Sequence, residues 1–312
     1  MGMNTTIVAT DGLTKVYGQR RAVDAVSMTV RAGEVYGFLG PNGAGKTTTM
    51  RMLLGQVRPT AGTATVLGAP PGTPAALARV GALVEGPGFY PYLSGRENLR
   101  VLAAYQGLDA RTADAALARV DLAGRGRDRF RTYSLGMKQR LGVAAALLGE
   151  PDLIVLDEPT NGLDPAGMAE MRDLLVDIAA GGQTVLLSSH LLAEVQQICD
   201  RVGVVAHGRL LAESTVADLR GGASLRLRAF PLEAAAAVAA RVLGPDAVEL
   251  VDGDRGDRTL RLTAGAEAVP DLTRALVAAG LDIHEISPVE RSLEEVFLEM
   301  TASAAPALEV SR

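Results

Sequence analysis

Apolar positions along this chain fall into two periods: short unbroken runs that suit buried strands, and three-to-four-residue spacings that suit helices. Residues 5–39 carry strand-like runs at Ile7 to Ala9, Ala22 to Val30 and Val35 to Leu39, punctuated by Gly12, Gly18 and Gly33. Thr48 to Leu54 is helix-compatible, Pro59 to Gly62 reads as a turn, Thr63 to Leu67 as a strand and Thr73 to Val80 as a helix. Gly81 to Val84 predicts a strand leading into a Gly/Pro-rich loop, Glu85 to Leu93. Ser94-Gly95-Arg96-Glu97 has the form of a capping box and opens a largely helical stretch to about Leu122, broken at Gly107. Ser134 to Leu148 is helical again, so residues of about 94–150 read as a helical subdomain inserted between strands.

Strands and helices then alternate. Leu153 to Leu156, Thr184 to Leu187 and Val202 to Ala206 predict strands; Ala166 to Ala179 and His190 to Asp200 predict helices. That alternation belongs to an α/β protein whose parallel sheet is covered on both faces. Gly221-Gly222 marks a boundary, giving a first domain of 1–220. Beyond it, strands at Leu225 to Ala229, Ala247 to Val251, Thr259 to Leu262 and Ile283 to Ile286 surround helices at Ala234 to Val242 and Val269 to Ala279. This order predicts a small ferredoxin-like α+β domain over 221–301, followed by a flexible tail, 302–312.

Composition narrows the class. At 312 residues, with 48% hydrophobic and 21% charged positions, the chain has room for one large and one small globular domain. The net charge of −5 carries no basic excess, so a nucleic-acid partner is not expected. The single cysteine, Cys199, excludes an internal disulfide framework and a four-cysteine zinc site; it suits a reducing compartment and the apolar face of a helix. No run reaches the ~18–20 apolar residues that a membrane span needs. No basic segment followed by an apolar core opens the chain, so no secretory signal is expected.

The chemistry begins at Gly40-Pro41-Asn42-Gly43-Ala44-Gly45-Lys46-Thr47-Thr48, which has the G-x-x-x-x-G-K-[ST] spacing between a strand-like run and a helix. Glycines let successive N–H groups and a helix N-terminus converge on one anion. Lys46 is suited to the terminal phosphates and the Thr47 hydroxyl to Mg²⁺. Only Lys15, Lys46 and Lys138 are lysines among 31 basic side chains, so a lysine at this position is informative. Leu153-Ile154-Val155-Leu156-Asp157-Glu158 ends a buried strand in two acids, at the sheet edge where ligands of open α/β folds bind. Asp157 there suits Mg²⁺, and Glu158 suits a general base that polarises water. Ser134 is a candidate N-cap at a helix start, another anion-attracting tip.

Those segments, with Tyr133-Ser134-Leu135-Gly136-Met137, Asp157-Glu158-Pro159-Thr160, Asn161-Gly162-Leu163-Asp164 and Ser188-Ser189-His190, occur in the order found in ABC transporter ATPase subunits. The chain resembles that family over roughly residues 5–220. The resemblance implies the P-loop NTPase fold of an ABC cassette and hydrolysis of ATP with Mg²⁺. It gives Tyr17 to adenine, Gly40 to Thr48 to the phosphates (Walker A), Asp157 to the metal (Walker B) and Glu158 to the base. His190 becomes the γ-phosphate switch, and Asp164 belongs to a loop crossing the dimer interface. Ser134 to Met137 becomes the signature that caps ATP held by the opposite protomer. It further implies a homodimer, or a paired ATPase subunit, bound to a separate transmembrane permease. The implied location is cytoplasmic, on the inner face of the cell membrane.

Two departures mark a subgroup. The signature usually has two glycines after the serine and then glutamine; here Leu135 replaces the first glycine and Met137 the glutamine. Glu85, in Val84-Glu85-Gly86-Pro87, stands where the family generally has glutamine and is a further candidate Mg²⁺ ligand. Both departures, together with Arg209-Leu210 and Ser292-Leu293-Glu294-Glu295-Val296-Phe297, resemble subunits that export peptide antibiotics of the bacitracin and lantibiotic type and related drugs. Phe89-Tyr90-Pro91-Tyr92 is either a docking surface for the permease or packing for the inserted helices. The rival readings are a non-transport ABC ATPase and a nucleotide-dependent regulator. A single phosphate loop, a short spacing to the signature, and intact Glu158 and His190 weigh against them.

Overall fold

Contacts in the computed structural model divide the chain into two units that part between Val216 and Ala217. The structure describes residues 5–86, 88–219, 224–252 and 258–289. Gly221-Gly222, the segment Ser292 to Phe297 and the tail 302–312 lie outside the described residues, as does Pro87.

The first unit opens with an antiparallel sheet in which β2 (Arg20–Val26) and β3 (Thr29–Arg31) each pair with β1 (Thr6–Tyr17). β1 continues well past Ala9, and the expected run Ala22 to Val30 breaks into two strands. Register shifts in β1, between Leu13 and Lys15 and again before Val16, explain the difference. A bulge displaces the alternation, so the period-two signal fades although the strand continues.

β4 (Val35–Leu39) is buried at every position, as a strand covered on both faces must be. It leads through the glycine-rich loop into α1 (Lys46–Leu53). β5 (Ala61–Val66) returns to pair with β1, taking Ala61 and Gly62 out of the expected turn. α2 (Pro74–Leu77) is a single turn, shorter than the helix expected there, and precedes β6 (Val80–Leu83).

The inserted helices are α3 (Gly95–Tyr105), α4 (Arg111–Arg119) and α5 (Leu135–Ala146). The Ser94 capping box forms in full: Glu97 N donates to Ser94 Oγ at 3.2 Å and Ser94 N donates to Glu97 Oε2 at 2.7 Å. Hydrogen bonds from Ser94, its backbone N–H foremost, hold the Glu97 carboxyl below its ordinary value.

The remaining elements are β7 (Leu153–Asp157), α6 (Pro165–Ala180), β8 (Thr184–Ser189), α7 (Leu192–Ile198), β9 (Arg201–Ala206), β10 (Arg209–Thr215) and the short α8 (Val216–Leu219). The central sheet has the order β10-β9-β4-β8-β7-β6, parallel except for the edge strand β10. β10 escapes the sequence pattern because none of its residues is fully buried, so no inward-facing alternation stands out. Phe38, Met50, Met52, Val155 and Leu186 fill the core between this sheet and its neighbours. Cys199 follows the last turn of α7 rather than lying on a helix face. A Cβ at Gly37 would come 2.9 Å from its sulfur, and burial pushes the thiol up.

The second unit runs β11 (Ser224–Phe230), α9 (Leu232–Leu243), β12 (Val248–Asp252), β13 (Arg258–Thr263), α10 (Val269–Ala278) and β14 (Asp282–Val289). Its antiparallel sheet has the order β12-β13-β11-β14. Leu225, Leu227, Leu260 and Leu262 bury one face against Ala235, Ala239, Leu272 and Leu276 of the two helices.

α5 lies close on β6 because a glycine permits it: a Cβ at Gly81 would stand 1.8 Å from the Ala146 carbonyl oxygen. Gly81→Ala should therefore lower unfolding free energy by about 1–3 kcal/mol, measured by urea unfolding; an unchanged midpoint would contradict this packing.

Candidate functional site

Parallel pairing decides which side chains meet. β8 lies between β4 and β7, with Leu39 opposite Ser189 and Asp157 opposite Ser188. The segments that leave these strands therefore diverge from one C-terminal sheet edge, where ligands of open α/β sheets bind.

The loop after β4 is built on backbone approaches that exclude side chains. A Cβ at Gly40 would be 2.2 Å from the Val205 carbonyl oxygen, and one at Gly45 would be 2.4 Å from that of Ala22. Gly45, at φ 103, also adopts a conformation that other residues rarely reach. The loop delivers Lys46 to the start of α1 with 6% exposure. Its Nζ donates to the Gly40 and Pro41 carbonyls at 2.6 and 3.3 Å and lies 3.0 Å from Glu158 Oε1.

The two acids after β7 take separate partners. Asp157 Oδ2 accepts the Thr47 hydroxyl at 2.8 Å, and its Oδ1 accepts the Ser188 hydroxyl at 2.5 Å. Ser188 is fully buried and accepts in turn from the Glu158 N–H at 3.0 Å. Glu158 has φ 51, left-handed for a non-glycine residue, and its carboxylate bridges two groups. Oε1 faces Lys46, while Oε2 lies 2.7 Å from His190 Nδ1. A non-glycine residue held in this conformation beside a charged cluster fits a functional position.

A cavity of about 470 Å³ opens over the loop, lined among others by Tyr17, Arg20, Asn42, Lys46, Thr48 and Glu158. That size lies within the ~300–1,000 Å³ usual for small-molecule sites. Tyr17 is 47% exposed at the end of β1, with Lys15 Nζ 5.0 Å from its ring centroid. Arg20 is a residue that the sequence reading missed: its guanidinium would be 3.7 Å from a Cβ at Gly43. Only the turn joining β1 to β2 brings it there.

The donor set suits Mg²⁺ held chiefly by a phosphate ligand. That ion uses one or two carboxylates and keeps waters, and Asp157 with Thr47 offers one carboxylate and one hydroxyl. Among the described residues no group of three or more His, Cys, Asp or Glu forms a cage of its own. Glu85 does not join this pair. Its carboxylate is 66% exposed, pairs with Arg51 of α1, and does not line the cavity.

Ser134 caps α5, its Oγ accepting from Met137 N at 3.2 Å. Neither it nor Leu135, Gly136 or Met137 lines the cavity. The helix tip meets the 161–164 loop instead: a Cβ at Gly162 would be 3.0 Å from Leu135 Cδ2, and one at Gly136 would be 3.8 Å from Leu163 Cδ2. Asp164 caps α6 by accepting from Gly167 N at 3.1 Å. In the aromatic cluster, Phe89 packs edge-on against Phe130 at 5.2 Å. Tyr90 and Tyr92 stay 45% and 64% exposed, with ring centroids 5.7 Å apart. The cluster thus divides between packing and exposed surface.

Residues 23–161 match the family described as ABC transporter. The bacitracin transport ATP-binding protein BcrA of Bacillus licheniformis is 39% identical over 95% of this chain and 97% of its own length. The daunorubicin resistance ATP-binding protein DrrA3 of Streptomyces coeruleorubidus is 40% identical over 96% and 97%. Among solved structures, cbiO1 of Clostridium perfringens, part of the ABC transporter complex cbiONQ, superposes with a TM-score of 0.63 at 26% identity. The alignment covers 69% of this chain and 90% of that one.

Ser188→Ala would strip a buried hydrogen-bond partner from both the Asp157 carboxylate and the Glu158 N–H. The expected loss is about 1–3 kcal/mol of stability, read by urea unfolding, and an unaltered midpoint would contradict it.

Proposed function

This chain belongs to the family of ABC transporter ATP-binding proteins, and we propose that it powers export of a peptide antibiotic or related drug through a separate transmembrane permease. The names of the bacitracin and daunorubicin relatives, which align over almost the whole chain, support that substrate class. The chain is an ATPase. Among its described residues no helix is long and apolar enough to cross a membrane. The exposed Tyr90 and Tyr92 offer that permease a docking surface.

The observation that carries the mechanism is the bracketing of Glu158 between Lys46 and His190 at the mouth of the loop cavity. Glu158 acts as general base toward the attacking water, and His190 orients that carboxylate. The N–H groups of Gly43 to Thr48 and the Lys46 ammonium bind the phosphates of ATP, and Tyr17 stacks on the adenine. Thr47 and Asp157 would hold Mg²⁺, which would neutralise charge on the phosphates. The position of Ser134 to Met137 outside their own cavity supports a shared site: these residues and the Asp164 loop cap the ATP held by a second copy, so two nucleotides lie in a head-to-tail homodimer. ATP binding closes the dimer and hydrolysis reopens it, driving the permease.

Glu158→Gln should retain ATP, lower turnover by at least about 100-fold and give a dimer by light scattering in Mg·ATP. Normal turnover would overturn the general-base assignment. Lys46→Ala should weaken ATP binding itself by about 10- to 100-fold, and an unchanged Kd from equilibrium titration would remove Lys46 from the phosphate site.

A further inference from the structure

Two buried side chains outside the cavity connect the loops that supply Glu158 and His190. Thr160 lies in the turn after Glu158, and Glu194 lies in the first turn of α7, four residues beyond His190. They are 3% and 4% exposed, and Thr160 Oγ1 donates to Glu194 Oε2 at 2.5 Å. Glu194 Oε1 is buried with no hydrogen-bond partner. A carboxylate withdrawn from water with one oxygen unsatisfied is costly. An apolar pair of similar volume is often as stable as a buried polar one or more so, so stability alone gives little reason for these residues.

Their bond closes a ring. Glu158 Oε2 meets His190 Nδ1, and the chain continues into α7, with Leu191 N fixed on Ser189 Oγ at 2.9 Å. α7 presents Glu194, Glu194 holds Thr160, and Pro159 joins Thr160 back to Glu158. Ser188 pins the near side of the turn through the Glu158 N–H, and the Asn161 N–H donates to the Glu158 carbonyl at 3.1 Å. The Thr160–Glu194 bond pins its far side. Glu158, at φ 51, keeps its conformation only if its surroundings hold it.

We propose that Glu194 is a positioning residue which, through Thr160, keeps Glu158 and His190 in register for hydrolysis. This role rests on Glu158 being the general base. Because neither Thr160 nor Glu194 lines the cavity, breaking their bond acts on kcat and leaves ATP binding intact.

The test compares full-length wild type with Thr160→Ser, Thr160→Val, the double variant Thr160→Val/Glu194→Leu, and Glu158→Gln. Each is assayed for ATP affinity, steady-state hydrolysis and thermal unfolding. Thr160→Ser keeps the hydroxyl and should stay within about twofold of wild type, whereas Thr160→Val and the double variant should lose about 10- to 100-fold in kcat at unchanged ATP Kd. The double variant removes both polar partners, so its Tm should equal or exceed that of wild type. Wild-type kcat in the double variant, or a loss in step with Kd and Tm, would overturn the positioning role. Glu158→Gln separates the two failures. If it is inactive while the double variant is normal, only the positioning role falls; if it turns over normally, the general-base reading falls and takes this proposal with it.

Discussion

A buried ammonium governs the nucleotide-binding unit. Lys46 sits at the first position of α1, where the helix dipole and free N–H groups already favour negative charge. Placing a cation there, at 6% exposure, is tolerable only with anionic or carbonyl partners close by. Gly40, Pro41 and Glu158 supply them, and the glycine contacts that fold the loop tightly serve this one charge. The loop is therefore a surplus of donors with Glu158 as its internal counter-charge. On the proposed reading, an entering phosphate competes for the same ammonium, which links ligand binding to release of the Glu158 carboxylate.

The rest of the unit sets the geometry of that exchange. Because β8 runs between β4 and β7, the loops after all three strands emerge at one edge, and a single buried hydroxyl, Ser188, spans Asp157 and Glu158. The acids are neighbours in sequence but bond in different directions, one toward Thr47 and the other toward Lys46 and His190. The helical insertion carries a separate anion-attracting tip at Ser134, packed on the Gly162–Leu163 turn and absent from the cavity lining. On the proposed reading these are two halves of a phosphate site that one copy does not bring together, which suits assembly with a second copy.

Much of this is legible in the sequence. Runs such as Val35 to Leu39 and Leu153 to Leu156 announce buried parallel strands, and the Ser94 and Ser134 caps form where local chemistry places them. What escaped depends on contacts between distant positions. β10 has no buried residue to pattern, and bulges in β1 scramble its alternation. Arg20 reaches the loop only through strand pairing, and Thr160, in the turn after Glu158, meets Glu194 of α7. Glu85 shows the converse: its position suggests a metal ligand, and the structure adds a pairing with Arg51 on the neighbouring helix. Local periodicity and spacing contain none of these pairings.

The scarcity of lysine offers a direct test of the central exchange. Lysine-selective isotope labelling yields side-chain NMR signals from only Lys15, Lys46 and Lys138, and Lys46→Ala assigns the one that matters. Addition of Mg·ATP to the Glu158→Gln protein should shift the Lys46 methylene signal beside the ammonium. A Lys46 signal that stays fixed under saturating nucleotide would contradict the account.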